Sequence, residues 1–198
     1  MTKQARKAKL VVLISGRGSN MISIVNAIKH DRLYADIVAV ISNRPDAGGL
    51  QYAQQAGIKT FTVDHTHFDD REEFDKVLAS VIDAHEPDLV ILAGFMRILT
   101  STFVGHYPKR LLNIHPSLLP KFKGLHTHQR AIEANEKEHG ATVHFVTDEL
   151  DDGPIILQAS VAILDNDDPS TLAKRVLKKE HQLYPDAIQK IIQERSLY

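Results

Sequence analysis

Asn113 and His115 close an apolar run, RLLNIH, and Pro116 follows at once. On an extended strand, side chains two residues apart project from one face. The amide and the imidazole therefore share a face, and Ile114 points to the other. Proline has no N–H and ends ladder pairing, which leaves the pair at the carboxyl end of its strand. Open α/β sheets bind their ligands at that end. An amide donor beside an imidazole suits acyl chemistry: the amide holds a developing oxyanion, and the imidazole donates or accepts the proton. Taken alone, a strand-end histidine reads more readily as a hydrogen-bonded structural residue.

Four other stretches carry chemistry-bearing residues. In SGRGSN, residues 15–20, Gly16 and Gly18 permit a tight turn and the close approach of a ligand. Ser19 and Asn20 can cap the helix that follows and offer donors to an anion. The turn reads equally as a phosphate seat and as a plain βα turn. No Lys-Ser/Thr follows as in a Walker loop, and the third glycine of a dinucleotide fingerprint falls on Met21. Gly48-Gly49 reads as a structural loop and helix start. TDELDDGP, residues 147–154, gathers Asp148, Glu149, Asp151 and Asp152 between two strands. It reads as a solvated hairpin turn, as a magnesium site, or as the source of a carboxylate that would favour the imidazolium form of His115. Spacing does not say which carboxylate that would be. His126-x-His128 and His65-x-His67 have the spacing of metal pairs, but neither has a third ligand nearby, and a helix start at Thr127 is the simpler reading of the first.

The elements that must position these residues follow from the apolar pattern. Near-continuous β-branched runs at 9–15, 36–42, 59–64, 88–94 and 110–115 read as strands covered on both faces, as in a parallel sheet. Helices are expected at 19–29, 48–56 and 70–85. The last has Phe74, Val77, Leu78, Val81 and Ile82 on one stripe and a capping-box spacing from Asp70 to Glu73. Alternating strands and helices predict an α/β fold with a doubly wound, mostly parallel sheet. Strands at 141–147 and 154–163 predict an antiparallel addition. A helical stretch from Pro169 should be kinked or split at Pro185.

The chain has 198 residues, which predicts one domain, with the basic residues 1–9 as a disordered tail. Cysteine is absent while histidine appears 11 times, so thiol chemistry is excluded and imidazole is the readiest reactive group. A formal net charge of −1 argues against a nucleic-acid-binding surface. No apolar run is long enough for a membrane helix or a signal-peptide core, which makes the cytoplasm the expected compartment.

Together, SGRGSN, ISNRPDAGGL, LAGFMRIL, LLNIHPSLLPKFKGLHTH, HGATVHFVTDELDDGP and KKEH resemble, in this order from about Leu10 to about Pro185, the glycinamide ribonucleotide formyltransferases. These are folate-dependent enzymes of purine synthesis with a Rossmann-like fold. The resemblance implies formyl transfer from 10-formyltetrahydrofolate, a cosubstrate, to the amine of 5'-phosphoribosylglycinamide, without a metal, by a monomer or homodimer that needs neither nucleic acid nor membrane. It implies that Asn113, His115 and Asp151 are catalytic and that Gly18, Ser19 and Asn20 grip the ribonucleotide phosphate. Leu177, Lys178, Lys179 and Glu180 would meet the same substrate, with Glu180 on its ribose. Arg71, Met96, Arg97, Ile98 and Leu99 would line the folate pocket with Asn113 and with Thr147, Asp148, Glu149, Leu150 and Asp151. The chain departs from the family pattern twice. Lys123 stands in Lys121-Phe122-Lys123-Gly124 where proline is usual, and Asp152 stands where a small residue is usual. Two relatives share the Asn-x-His signature. Methionyl-tRNA formyltransferases are expected to be longer and more basic, and formyltetrahydrofolate deformylases to carry an N-terminal regulatory domain and no phosphate seat. A formyltetrahydrofolate hydrolase and a non-catalytic phospho-ligand-binding module are the alternative readings.

Overall fold

The computed structural model describes residues 6–195. Among these residues seven strands form one sheet: β1 (Ala8–Ile14), β2 (Ala35–Ser42), β3 (Thr60–Thr62), β4 (Leu89–Leu92), β5 (Leu111–His115), β6 (Glu138–Phe145) and β7 (Ile155–Ala162). Their spatial order is β3-β2-β1-β4-β5-β6-β7. The first five strands are parallel, and β6 and β7 pair antiparallel beyond β5, as the sequence predicts. The helices are α1 (Ser19–Lys29), α2 (Gly48–Gln55), α3 (Arg71–Asp83), α4 (Ser101–His106), α5 (Thr127–Glu133) and α6 (Pro169–Glu194), with a single 3-10 turn at His65–His67.

The strands are apolar throughout because both faces of the sheet are covered. Along β1, Leu10, Val12 and Ile14 pack with residues of α1 and α6, whereas Val11 and Leu13 pack with residues of α3 and α4. Each such side chain, once buried, contributes about 1.5–3 kcal/mol. On α3 only Phe74, Leu78 and Ile82 of the predicted stripe are fully buried; Val77 is 41% exposed, so the stripe is narrower than its periodicity suggests. Asp70 caps this helix by accepting from the Glu73 N–H at 2.8 Å. The short helix α4 has no legible period and is set instead by Thr100, whose hydroxyl accepts from the Phe103 N–H.

Two expectations change. The helix α6 is not split at Pro185 but runs 26 residues through it. The proline costs one backbone hydrogen bond, and burial of Leu183, Tyr184, Pro185, Ala187 and Ile188 on one side offsets that loss. Tyr184 adds an anchor, its hydroxyl lying 2.9 Å from the Leu92 carbonyl and 3.1 Å from that of Leu112. At the other end, Ala8 and Lys9 already belong to β1, so the expected tail is shorter. Arg6 pairs with Asp88, which also accepts from the Lys9 N–H at 2.8 Å; residues 1–5 of the expected tail lie outside the described residues.

From β1 the chain winds outward to β2 and β3, then crosses back to β4 on the opposite side of β1. The order therefore reverses between β1 and β4, and a crevice opens at their carboxyl ends, the usual ligand position in such sheets. There the Ser15 N–H donates to the Gly94 carbonyl at 3.1 Å. No described helix is long and apolar enough to cross a membrane.

Candidate active site

The crevice, about 360 Å³, is walled by residues 15–20, by Asn43, Arg44 and His65, and by Ala93, Gly94 and Met96. Gly18 has φ of +70°, where any other residue would be strained, and a Cβ there would stand 3.3 Å from the Cα of Gly49. Gly49 supports the turn from below: its N–H donates to the Gly16 carbonyl at 3.0 Å, and a Cβ would fall 2.6 Å from Ile14 Cδ1. Ser19 and Asn20 do not cap α1 as expected. The N-cap is Gly18, without a side-chain hydrogen bond. Asn20 is drawn away because its Nδ2 donates to Glu180 Oε2 at 2.7 Å. The first N–H groups of α1 thus have no side-chain cap, and with the helix dipole they suit an anion.

Glu180 is a buried carboxylate, 8% exposed, and burial pushes its carboxyl up against the opposing hydrogen bond from Asn20. The folded protein therefore holds this proton more tightly than the unfolded chain does. Stability from this group is full below the ordinary value of about 4.5 and falls as pH rises through the window above it. Glu180→Gln keeps an acceptor for Asn20 and removes the fall. Urea midpoints from about pH 4 to about pH 8 should diverge, with the variant the more stable at the upper end. Parallel curves would show that the carboxylate carries no such cost. Leu177 lies one turn before Glu180 on the same side of α6, whereas Lys178 and Lys179 are exposed and turned about 200° and 100° away. Of that predicted quartet, Glu180 meets the glycine turn and the two lysines do not.

At the end of β5, Asn113 and His115 share one face, as their spacing predicts. The acidic turn supplies the carboxylate: Asp151 Oδ2 lies 3.3 Å from His115 Nδ1, each side chain being 8% exposed. Asp151 reaches inward from φ of +50°, a left-handed conformation that aspartate tolerates better than most residues. Its Oδ2 also accepts from the Gly124 N–H at 2.9 Å. The second ring nitrogen of His115, Nε2, lies 2.9 Å from the Phe122 carbonyl. The Phe122 carbonyl calls for an N–H on Nε2, and the Asp151 carboxylate lies across from Nδ1. Thr147 to Leu150 are exposed, as a solvated turn would be, while Asp152 pairs with Lys123 instead of facing His115.

His144 was passed over by the sequence reading and lies opposite Asn113 in the antiparallel register of β5 and β6. Its Nε2 is 3.3 Å from Asn113 Nδ2 and its Nδ1 is 2.9 Å from the Phe145 carbonyl. Burial pushes His144 below its ordinary value. The neutral ring donates through Nδ1 and accepts through Nε2, which leaves the second amide hydrogen of Asn113 unspent. The suspected metal pairs have other partners. His128 Nδ1 lies 3.1 Å from Nε2 of His139, whose imidazole burial pushes down to about 4. His126 is the N-cap residue of α5 and is exposed, and His65 Nδ1 donates to the Asn43 carbonyl at 2.8 Å. Among the described residues no group of three or more His, Asp or Glu side chains is arranged to hold a metal ion.

The strip after β4 forms another wall. Ser15 Oγ accepts from the Met96 N–H at 2.7 Å and donates to Asn43 Oδ1 at 2.5 Å, while buried Asp75 accepts from the Thr100 N–H at 2.7 Å. Pinned at both ends, the strip exposes Met96 at 72% and Ile98 at 65% beside polar groups, and Leu99 packs inward. Exposed apolar side chains in such a setting suit a flat apolar ligand. Arg97 lies 5.5 Å over the Phe74 ring, one turn along α3 from Arg71, so the two arginines predicted for one pocket belong to the same end of α3.

Residues 8–188 match the formyl transferase family. The chain is 54% identical over 176 residues to the phosphoribosylglycinamide formyltransferase of Escherichia coli, covering 89% of this chain and 83% of that protein. It is 46% identical to the trifunctional purine biosynthetic protein adenosine-3 of Drosophila melanogaster, where 100% of this chain spans 15% of that protein. Glycinamide ribonucleotide transformylase 1 from Symbiobacterium toebii has the same fold, with a TM-score of 0.94 and 42% identity over 98% of this chain and 92% of that one. The Coxiella burnetii phosphoribosylglycinamide formyltransferase, solved with CHES, gives a TM-score of 0.89 at 50% identity over 93% of this chain and 86% of that one. A family match from the first strand to the late helix, with the paired histidine and aspartate between them, leads to one conclusion: the chain belongs to the formyl transferase family.

Proposed function

We propose that this chain, acting as one cytoplasmic domain, transfers the formyl group of 10-formyltetrahydrofolate to the amine of 5'-phosphoribosylglycinamide in purine synthesis. The observation that carries this reading is the His115–Asp151 contact at 3.3 Å, at the carboxyl end of β5, which also carries Asn113 and lies next to β4 in the sheet. A phosphate fits the uncapped N-terminus of α1 at Gly18, Ser19 and Asn20, and the carboxylate of Glu180 suits ribose hydroxyls next to it. Met96 to Leu99 and the turn from Thr147 to Asp151 offer the apolar and polar edges that a pterin ring would need, with Arg71 and Arg97 toward its acidic tail.

The residues then divide the chemistry. As the substrate amine bonds to the formyl carbon, the carbonyl electrons move onto oxygen. Asn113 directs its free amide N–H at that oxygen, and the His115 imidazolium sets a positive charge beside it. One such donor is worth about 3–4 kcal/mol of the barrier. Asp151 and the Phe122 carbonyl keep His115 charged and oriented. The oxyanion then collapses, the bond from the formyl carbon to the folate nitrogen breaks, and the proton lost by the amine passes through water to that nitrogen. No metal and no covalent enzyme adduct is needed.

The test mixes the protein with 10-formyltetrahydrofolate, with and without the ribonucleotide, and follows folate release. Release that requires the nucleotide is the expected result. Release that ignores it would favour the hydrolase, and no release in either mixture would favour a phospho-ligand-binding module.

A further inference from the structure

The segment 121–125 is tied down on two sides. Phe122 has φ of +55° and His126 of +57°, left-handed conformations that non-glycine residues adopt at a cost. Ties on one side fasten it to its own continuation. Arg130 Nη1 donates to the Lys123 carbonyl at 2.7 Å and stacks 5.4 Å over the Phe122 ring, and Lys121 Nζ reaches Glu136 at 2.8 Å. On the other side, three successive residues reach the catalytic pair or its neighbour. The Phe122 carbonyl meets His115, the Gly124 N–H meets Asp151, and the Lys123 ammonium pairs with Asp152.

Lys123 and Asp152 lie 29 residues apart in sequence, and the fold makes them partners. We propose that this ion pair is a latch: it clamps the 121–125 loop against the acidic turn, and so keeps the loop's carbonyl on His115 and its amide on Asp151. Lys123 and Asp152 are then positioning residues that act through the catalytic pair. Both side chains are partly exposed, 38% and 50%, and exposed pairs shift an equilibrium by only about 1.5- to 5-fold. That is enough to set the occupancy of one loop and too little to hold the fold. The effect on turnover rests on the formyl-transfer reading; the effect on the loop does not.

The test compares Lys123→Met, Asp152→Asn and the exchanged pair Lys123→Asp/Asp152→Lys with the unaltered protein. The Gly124 amide should exchange its hydrogen about threefold faster in each single variant and return toward the original rate in the exchanged pair. Turnover should fall by a similar factor and recover likewise, with KM for the ribonucleotide unchanged because its seat lies on α1. Unchanged Gly124 exchange in the single variants would overturn the latch, as would an exchanged pair no better than the product of the singles. If Gly124 exchange responds while the unaltered protein itself transfers no formyl groups, the latch stands and the formyl-transfer reading fails.

Discussion

His115→Ala lowers the turnover number for formyl transfer by about 10²–10³-fold, Asp151→Ala lowers it by a comparable factor, and the double variant loses little more. The near-equality follows from the geometry. Asp151 reaches the reaction only through the imidazole 3.3 Å away, so once His115 is gone its carboxylate has no further catalytic work. Groups that act as one unit give non-additive losses, and a double-mutant cycle measures that coupling directly. A control is required because Asp151 is buried. Removing His115 leaves its carboxylate with the Gly124 N–H, and an underpaired buried charge costs stability. Urea midpoints should confirm that each variant is folded under assay conditions. A folded His115→Ala protein with near-normal turnover would remove His115 from the mechanism. A double variant whose loss equals the product of the single losses would separate Asp151 from it.

What the sequence made legible follows the range of the interactions. Period-2 alternation placed Asn113 and His115 on one face, and near-continuous apolar runs placed five strands, because both signals are local. Spacing did not choose Asp151 among four carboxylates, and only the resemblance named it, since the choice depends on one left-handed residue turning a side chain inward. His144 was missed because its meeting with Asn113 is set by the register of two strands about thirty residues apart in sequence, which no pattern within β6 announces. Glu180 was reached through resemblance alone, for only the packing of α6 on α1 carries it to Asn20. The unbroken helix at Pro185 shows tertiary burial outweighing a local rule that would otherwise end it.

The turn that holds Asp151 depends on a glycine for reasons of space. A Cβ built on Gly153 would fall 1.7 Å from the Phe145 carbonyl oxygen and 3.2 Å from the Thr147 methyl. The obstacle is backbone and cannot swing aside as a side chain would. Moving it would strain the hydrogen bond by which the Phe145 N–H donates to the Pro154 carbonyl at 3.0 Å. Gly153→Ala is therefore expected to cost at least about 3 kcal/mol, among the larger effects a single methyl produces. The turn must shift, and Asp151, two residues earlier, shifts with it, so turnover should fall as well. Gly16→Ala is the matching control: nothing lies within 4 Å of a Cβ built there, so its stability should change by no more than about 0.5 kcal/mol. Urea denaturation of the two variants side by side decides the matter. A Gly153→Ala midpoint equal to that of Gly16→Ala would mean that the end of β6 yields freely, and the close backbone approach could no longer be what aims Asp151 at His115.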